Sequence, residues 1–301
     1  MYKRRVYRRH NIEKRLNFYL SLILVVVALP MFITTFLGRL KLEDLLIESP
    51  KRSEKEEVLT PEMLAKQIGI HMPRETIKAQ SVIARTQYMS ANENGGNSPV
   101  SFTISELQEL WGEEFENYYE QMQDIIMETA GETLQYNGAY IYAAYHKCSA
   151  GNTRDMKQYY EKSTMPYLSS VNCHEDSTAE GYLTVYFWEA EDFCSLMANA
   201  FLKEKIIGVE EIQILKRDEA GYALEVKVGQ TVFEGEEFRK KINLPSACFE
   251  ITQIDGGVRI VSMGQGHGFG LSQHMAGKLA ERGMDYQEIL KYFYKGVAIT
   301  N

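Results

Sequence analysis

Cys248-Phe249-Glu250-Ile251-Thr252-Gln253-Ile254-Asp255-Gly256-Gly257-Val258-Arg259-Ile260-Val261-Ser262-Met263 places two strand-like runs around the turn formers Asp255-Gly256-Gly257. The spacing predicts a hairpin with strands over 248–254 and 257–263. The pattern recurs. Leu134–Tyr136 and Ala139–Tyr145 flank Asn137-Gly138, a dipeptide suited to a tight hairpin turn. Two further runs, near 211–216 and 221–228, are joined by Asp218-Glu219-Ala220-Gly221, and Tyr182–Phe187 reads as a strand before a helix over Glu189–Phe201. Strands that arrive as hairpins rather than in β-α-β alternation predict an α+β fold with mostly antiparallel sheet hairpins and flanking helices.

Thr60-Pro61-Glu62 reads as an N-cap, a first-position proline and a first-turn acid, opening a short helix to about Gly69. Pro73 opens a second helix, with Ile77, Gln80, Ala84 and Tyr88 near one face, and the turn formers of 92–99 end it. Ser105-x-x-Gln108 reads as a capping box. Behind it Leu107, Leu110, Trp111, Phe115, Tyr118, Tyr119, Met122, Ile125 and Ile126 recur at helical spacing, as a packing face or, alternatively, a carbohydrate platform. Further helices are expected from about Leu271 and from Asp285.

The 301 residues are 45% apolar and 25% charged, an ordinary globular composition that argues against a disordered or fibrous chain. The net charge is -8, unevenly placed: residues 1–15 hold seven basic groups and one acid, so the remainder is strongly acidic. That excludes nucleic acid as the natural partner of the folded part. Leu16–Gly38 is a run of 23 uncharged residues. As a helix it is ~34 Å long, enough for a ~30 Å hydrocarbon core. The basic cluster before it orients the span with 1–15 in the cytoplasm. The Gly38-Arg39-Leu40-Lys41 that follows lacks a small-x-small cleavage site, so we expect a single-pass anchor in the cell membrane. Residues 39–59 are then a charged stalk or an extra surface helix, and 60–301 an extracytoplasmic domain.

Two segments carry chemistry. In Gly264-Gln265-Gly266-His267-Gly268-Phe269-Gly270-Leu271-Ser272-Gln273, glycine alternates around one histidine. It is either a flexible turn or a loop stripped of side chains so that backbone or ligand can approach. In Glu75–Tyr88, Gln80, Arg85, Thr86 and Tyr88 crowd an otherwise small and apolar helix whose first turn holds Glu75.

These two segments resemble the two signatures of the stage II sporulation protein D family, in the same order and after the same kind of N-terminal anchor. The resemblance runs from about residue 60 to the end, and clostridial members look similar around Cys148. It implies a membrane-anchored lytic transglycosylase acting during engulfment on peptidoglycan strands already stripped of stem peptides by an amidase. It further implies partnership with that amidase and with a polytopic membrane protein. The family's catalytic glutamate falls on Glu75. Such an enzyme protonates the glycosidic oxygen between N-acetylmuramic acid and N-acetylglucosamine, and the muramic 6-hydroxyl closes on C1. One carboxyl group donates the first proton and accepts the second, whereas hydrolases generally need two. A free glutamate titrates near ~4.3, so Glu75 is expected to be partly desolvated in a groove. Gln80, Arg85 and Tyr88 are candidates for holding sugar, with His267 and Gln273 on the opposite wall; Arg85 fits a buried ion pair equally well.

Four cysteines remain. Cys194 and Cys248 read as buried apolar groups. Cys148 and Cys173 each have a histidine nearby, in His146-Lys147-Cys148 and Cys173-His174, and two such pairs match the N and S ligands of zinc. A Cys148–Cys173 disulfide and free thiols are the other arrangements the residues allow. A catalytic zinc would make the chain a cell-wall amidase or peptidase, although His-Glu-x-x-His is absent. A non-catalytic peptidoglycan-binding scaffold is the third reading.

Overall fold

A computed structural model describes residues 57–93, 95, 99–201 and 208–301. The expected basic tail, the anchor at 16–38 and most of the stalk lie outside the described residues. No described helix is long and apolar enough to cross a membrane. The compact unit runs from Glu57 to Asn301, three residues earlier than the sequence suggested, because Leu59 is buried and Glu57 pairs with Arg85.

In chain order the unit contains α1 (Pro61–Gln67), α2 (Arg74–Glu93), α3 (Ile104–Trp111), α4 (Phe115–Glu128), β1 (Thr133–Tyr136), β2 (Ala139–Tyr140), β3 (Tyr145–His146) and α5 (Met156–Tyr159). Then come β4 (Leu183–Glu189), α6 (Ala190–Ala200), β5 (Ile212–Arg217), β6 (Ala223–Val228), β7 (Thr231–Glu234) and α7 (Gly235–Lys241). The chain closes with β8 (Phe249–Ile254), β9 (Gly257–Met263), β10 (Leu271–Ser272), α8 (Gln273–Glu281), α9 (Tyr286–Phe293) and β11 (Ala298–Thr300).

Helix α2 is the axis of the helical half. Thr76, Ile77 and every residue from Ala79 to Thr86 are buried, as expected of a helix that is small or apolar on all sides. One side, with Ile77 and Ala84, packs on α1 and α4 through Leu64, Met122 and Ile126. The other, with Ala79, Val82 and Ile83, meets Leu134 of β1, Met275 of α8 and Leu290 of α9. The α+β expectation holds, and the hairpins lie where the turn formers put them: β1–β2, β5–β6 and β8–β9 are all antiparallel. The second half packs the sheets β4-β9-β8 and β5-β6-β7, with α6 and α7, around Phe193, Phe238 and Phe249.

Three local expectations change. The capping box is Thr103 with Glu106, because the helix begins at Ile104. The apolar stripe behind it breaks at Gly112, whose φ of 53° ends α3 before α4 begins; Leu107 and Met122 are buried but Leu110 is exposed. The run after Asn137-Gly138 pairs for only two residues, and Tyr145–His146 instead forms a parallel pair with Leu271–Ser272.

Candidate site: a groove between the two signature segments

The glycine segment is stitched in place rather than loose. Gly264 N–H donates to Tyr182 O, Gly266 N–H to Pro245 O, and Gly268 O accepts from Arg154 N–H. Gly270, at φ 69°, lies against the Ala144 carbonyl, where a Cβ has no room. These contacts bring the start of α8 beside the end of β3. There Asp176 is fully buried and accepts from Ser149 N–H at 2.6 Å, Ser149 Oγ at 2.7 Å and Ser272 Oγ at 2.8 Å. Burial pushes its carboxyl above the usual carboxylate range, against the opposing pull of the serine bonds.

The two signature segments touch. Gln80 of α2 accepts at Oε1 from Gln273 Nε2 of α8 at 3.1 Å, and the same Nε2 donates to the Gln67 carbonyl at 2.8 Å, capping the end of α1. Beside this contact opens a groove of about 620 Å³ lined by Ile68–Met72 in part, Lys147, Cys148, Ala179–Gly181, Gln265, Gln273 and His274. Gln265 Nε2 is tied to Glu180 O, and His274 Nε2 lies 3.0 Å from Thr178 Oγ1.

The other expected sugar contacts stand elsewhere. Arg85 is 2% exposed and buried against Glu57, the Glu132 and Ile126 carbonyls and Thr129, the ion-pair role of its two readings. Tyr88 packs half-buried on the α1–α4 core. His267 faces inward: its Nδ1 accepts from Phe269 N–H at 3.0 Å and its ring lies 5.9 Å from that of His146. Burial pushes His267 down to about 4, helped by Arg239 and Arg154. Glu75 is 29% exposed and does not line the groove. Its Oε1 accepts from Lys78 Nζ at 2.8 Å and its Oε2 from Tyr286 N–H, at the start of α9, at 2.9 Å.

The four expected zinc ligands do not gather. His146 is buried, with Nδ1 donating to Phe269 O at 3.1 Å and Nε2 without a partner; burial pushes it down to about 3. His174 is exposed and bound to Asn172. Cys148 borders the groove with its thiol pushed up to about 11 by burial, and Cys173 is fully buried, its thiol pushed higher still. Neither is in a disulfide, nor are Cys248, buried as expected, and Cys194, which is half-buried rather than buried. Among the described residues no group of three or more His, Cys, Asp or Glu is arranged to hold a metal ion. The donor set does not fit zinc as one site, and no chemistry is derived through it.

Sequence reasoning missed Gln67 and Gln87. The signal was present, since Gln80 and Gln87 are seven residues, two turns, apart on one helix face.

Residues 54–136 of this α+β unit, which include the first signature helix, match the SpoIID family model, described as Stage II sporulation protein. Among curated relatives, the chain is 27% identical over 252 residues to Stage II sporulation protein D of Bacillus amyloliquefaciens, covering 79% of this chain and 72% of that protein. It is 29% identical over 242 residues to the Bacillus subtilis protein of the same name, covering 75% and 68%. Over three quarters or more of its length the chain is thus similar to stage II sporulation protein D. A more distant likeness, 25% over 277 residues, is to an amidase enhancer of Bacillus subtilis, of which it covers 38%.

Proposed function

We propose that this chain is a membrane-anchored sporulation protein that binds peptidoglycan glycan strands in the groove beside its second signature segment, and cleaves them as a lytic transglycosylase with Glu75 as acid/base. The observation that carries the binding part is the groove lined by Gln265 and Gln273 of the glycine segment, with Gln273 anchored to Gln80 of the other segment behind it. The groove is open over Gly69 and carries the polar groups of Lys147, Glu180, Gln265, Gln273 and His274 among apolar surface, a lining suited to sugar. Peptide-stripped strands, a sporulation amidase and a polytopic membrane protein are the substrate and partners this reading names.

The cleavage part asks more of the molecule. Both Glu75 oxygens already accept from Lys78 and Tyr286, so a proton donor here must first release one of them. A bound strand that draws Lys78 away supplies that release.

A second reading is favoured by a specific observation: Glu75 stands outside the groove, and the one carboxylate lining it, among the described residues, is the exposed Glu180. In that reading the chain holds glycan as a non-catalytic scaffold. Nothing in the placement of Cys148, Cys173, His146 and His174 favours a zinc amidase.

The test is digestion of amidase-treated sacculi by the full chain in detergent micelles and by Glu75→Gln, with products read by mass spectrometry. The enzyme reading expects 1,6-anhydro-muramic ends from the wild type and none from the variant. Equal release from both removes Glu75 from the chemistry, and no release by either selects the scaffold.

A further inference from the structure

Four side-chain amides run head to tail under the groove. Gln87 Nε2 donates to Ala143 O at 2.8 Å. Gln67 Nε2 donates to Gln87 Oε1 at 3.2 Å, Gln80 Nε2 to Gln67 Oε1 at 2.7 Å, and Gln273 Nε2 to Gln80 Oε1 at 3.1 Å. An isolated carboxamide can be turned over with little change in shape, exchanging donor for acceptor. This row cannot. Its far end is a backbone carbonyl, which only accepts, so Gln87 must present its NH2 there and its oxygen to Gln67. Each member then fixes the next. A second backbone carbonyl, that of Gln67, also accepts from Gln273 Nε2, so both ends of the row enforce the same direction.

The consequence reaches the groove. Gln273 is 9% exposed and lines it, and both of the bonds above engage its nitrogen, leaving Oε1 toward the groove. We infer that Gln67 and Gln87 are positioning residues that lock the Gln273 carboxamide, so that its Oε1 is a fixed acceptor for a hydroxyl or acetamido N–H of the bound sugar. This rests on the glycan-binding reading above and adds to it the polarity of one subsite. A sugar presenting a lone pair at this point meets another lone pair, while one presenting a donor meets a preorganised partner that needs no reorientation.

The test uses the full chain in detergent micelles and the β-1,4-linked N-acetylglucosamine tetramer as probe. Calorimetry on Gln273→Met, which keeps the shape and removes the acceptor, should show affinity weakened about fivefold, the effect of one neutral hydrogen bond. Gln67→Met, which does not line the groove, should weaken binding by a smaller factor. Its distinguishing readout is NMR: the Gln273 side-chain amide protons exchange slowly in the wild type and at least tenfold faster in Gln67→Met, roughly the loss of one hydrogen bond's restraint. Unchanged exchange in Gln67→Met, or equal tetramer affinity in wild type and Gln273→Met, overturns the proposal alone. A wild type that binds no tetramer while its amides still exchange slowly overturns the glycan reading, and with it the ligand named here.

Discussion

Gln80 and Gln273, 193 residues apart in the chain, share a buried hydrogen bond of 3.1 Å, and through it the first signature helix holds a side chain that lines the groove. Gln80 has no exposure to solvent, so its polar groups must be satisfied inside the protein. Replacing it with leucine strands Gln67 Oε1 and Gln273 Nε2. Gln80→Leu is expected to lose about 1–3 kcal/mol, the cost of buried polar groups left unpaired, measurable by urea denaturation. Unchanged stability would mean that the amides find other partners.

Arg154 ties the two halves of the fold together. It is fully buried, with Nε 2.6 Å from Asp218 and Nη1 3.2 Å from Glu236, and three aromatic rings, Tyr159, Tyr222 and Phe269, lie around its guanidinium. Arg154→Leu leaves the buried Asp218 carboxylate without its ion-pair partner, while Glu236 keeps Arg239 at 2.9 Å. The expected loss is about 3–5 kcal/mol in the same denaturation experiment.

His146 and His267 make stability depend on pH. Both are held below their ordinary value, to about 3 and about 4, chiefly by burial. The unfolded chain takes up these protons as pH falls below about 6.5, while the folded chain does not, so stability is full above that pH and declines beneath it. At pH 5 each histidine accounts for about 2 kcal/mol of loss. Asp176, raised by burial, works in the opposite direction by gaining its proton earlier in the folded state. His146→Gln should therefore roughly halve the slope of stability between pH 6.5 and 5, and an unaltered slope would remove His146 from the account.

Gly270 tests the close approach that the alternating glycines permit. A methyl group there meets the Ala144 carbonyl, and the φ of 69° is itself unfavourable for alanine. Gly270→Ala should lower stability by at least about 1–2 kcal/mol and loosen the β3–β10 pairing, seen as faster amide exchange at Leu271. Gly256, in an open turn, is the control: alanine there costs only the backbone strain.

Much of this was legible in the residues, for local reasons. Turn dipeptides fix hairpins within a few positions, so Asp255-Gly256-Gly257 marked both its strands, while Asn137-Gly138 marked its turn but not where the second strand ends. The small and apolar surroundings of Gln80 marked α2 as a buried helix. The parallel β3–β10 pair was not legible, because it is two residues long and joins distant segments. The placement of Glu75 was half legible. It lies five residues before Gln80, about 140° around the helix, so the two side chains leave α2 in different directions. Lys78, three residues on, shares its face and takes its oxygen. Closeness in His146-Lys147-Cys148 likewise says nothing of what each side chain faces: His146 turns to Phe269 and His267 while Cys148 borders the groove.

The central claim is that glycan lies in the groove beside the second signature segment, and the most direct measurement is backbone hydrogen exchange by mass spectrometry on the full chain in micelles, with and without peptide-stripped glycan fragments. The account predicts slowed exchange at 66–73, at 147–150 and at 264–275, together and at the same glycan concentration. Slowed exchange confined to other surfaces, or none at saturating glycan, would contradict it.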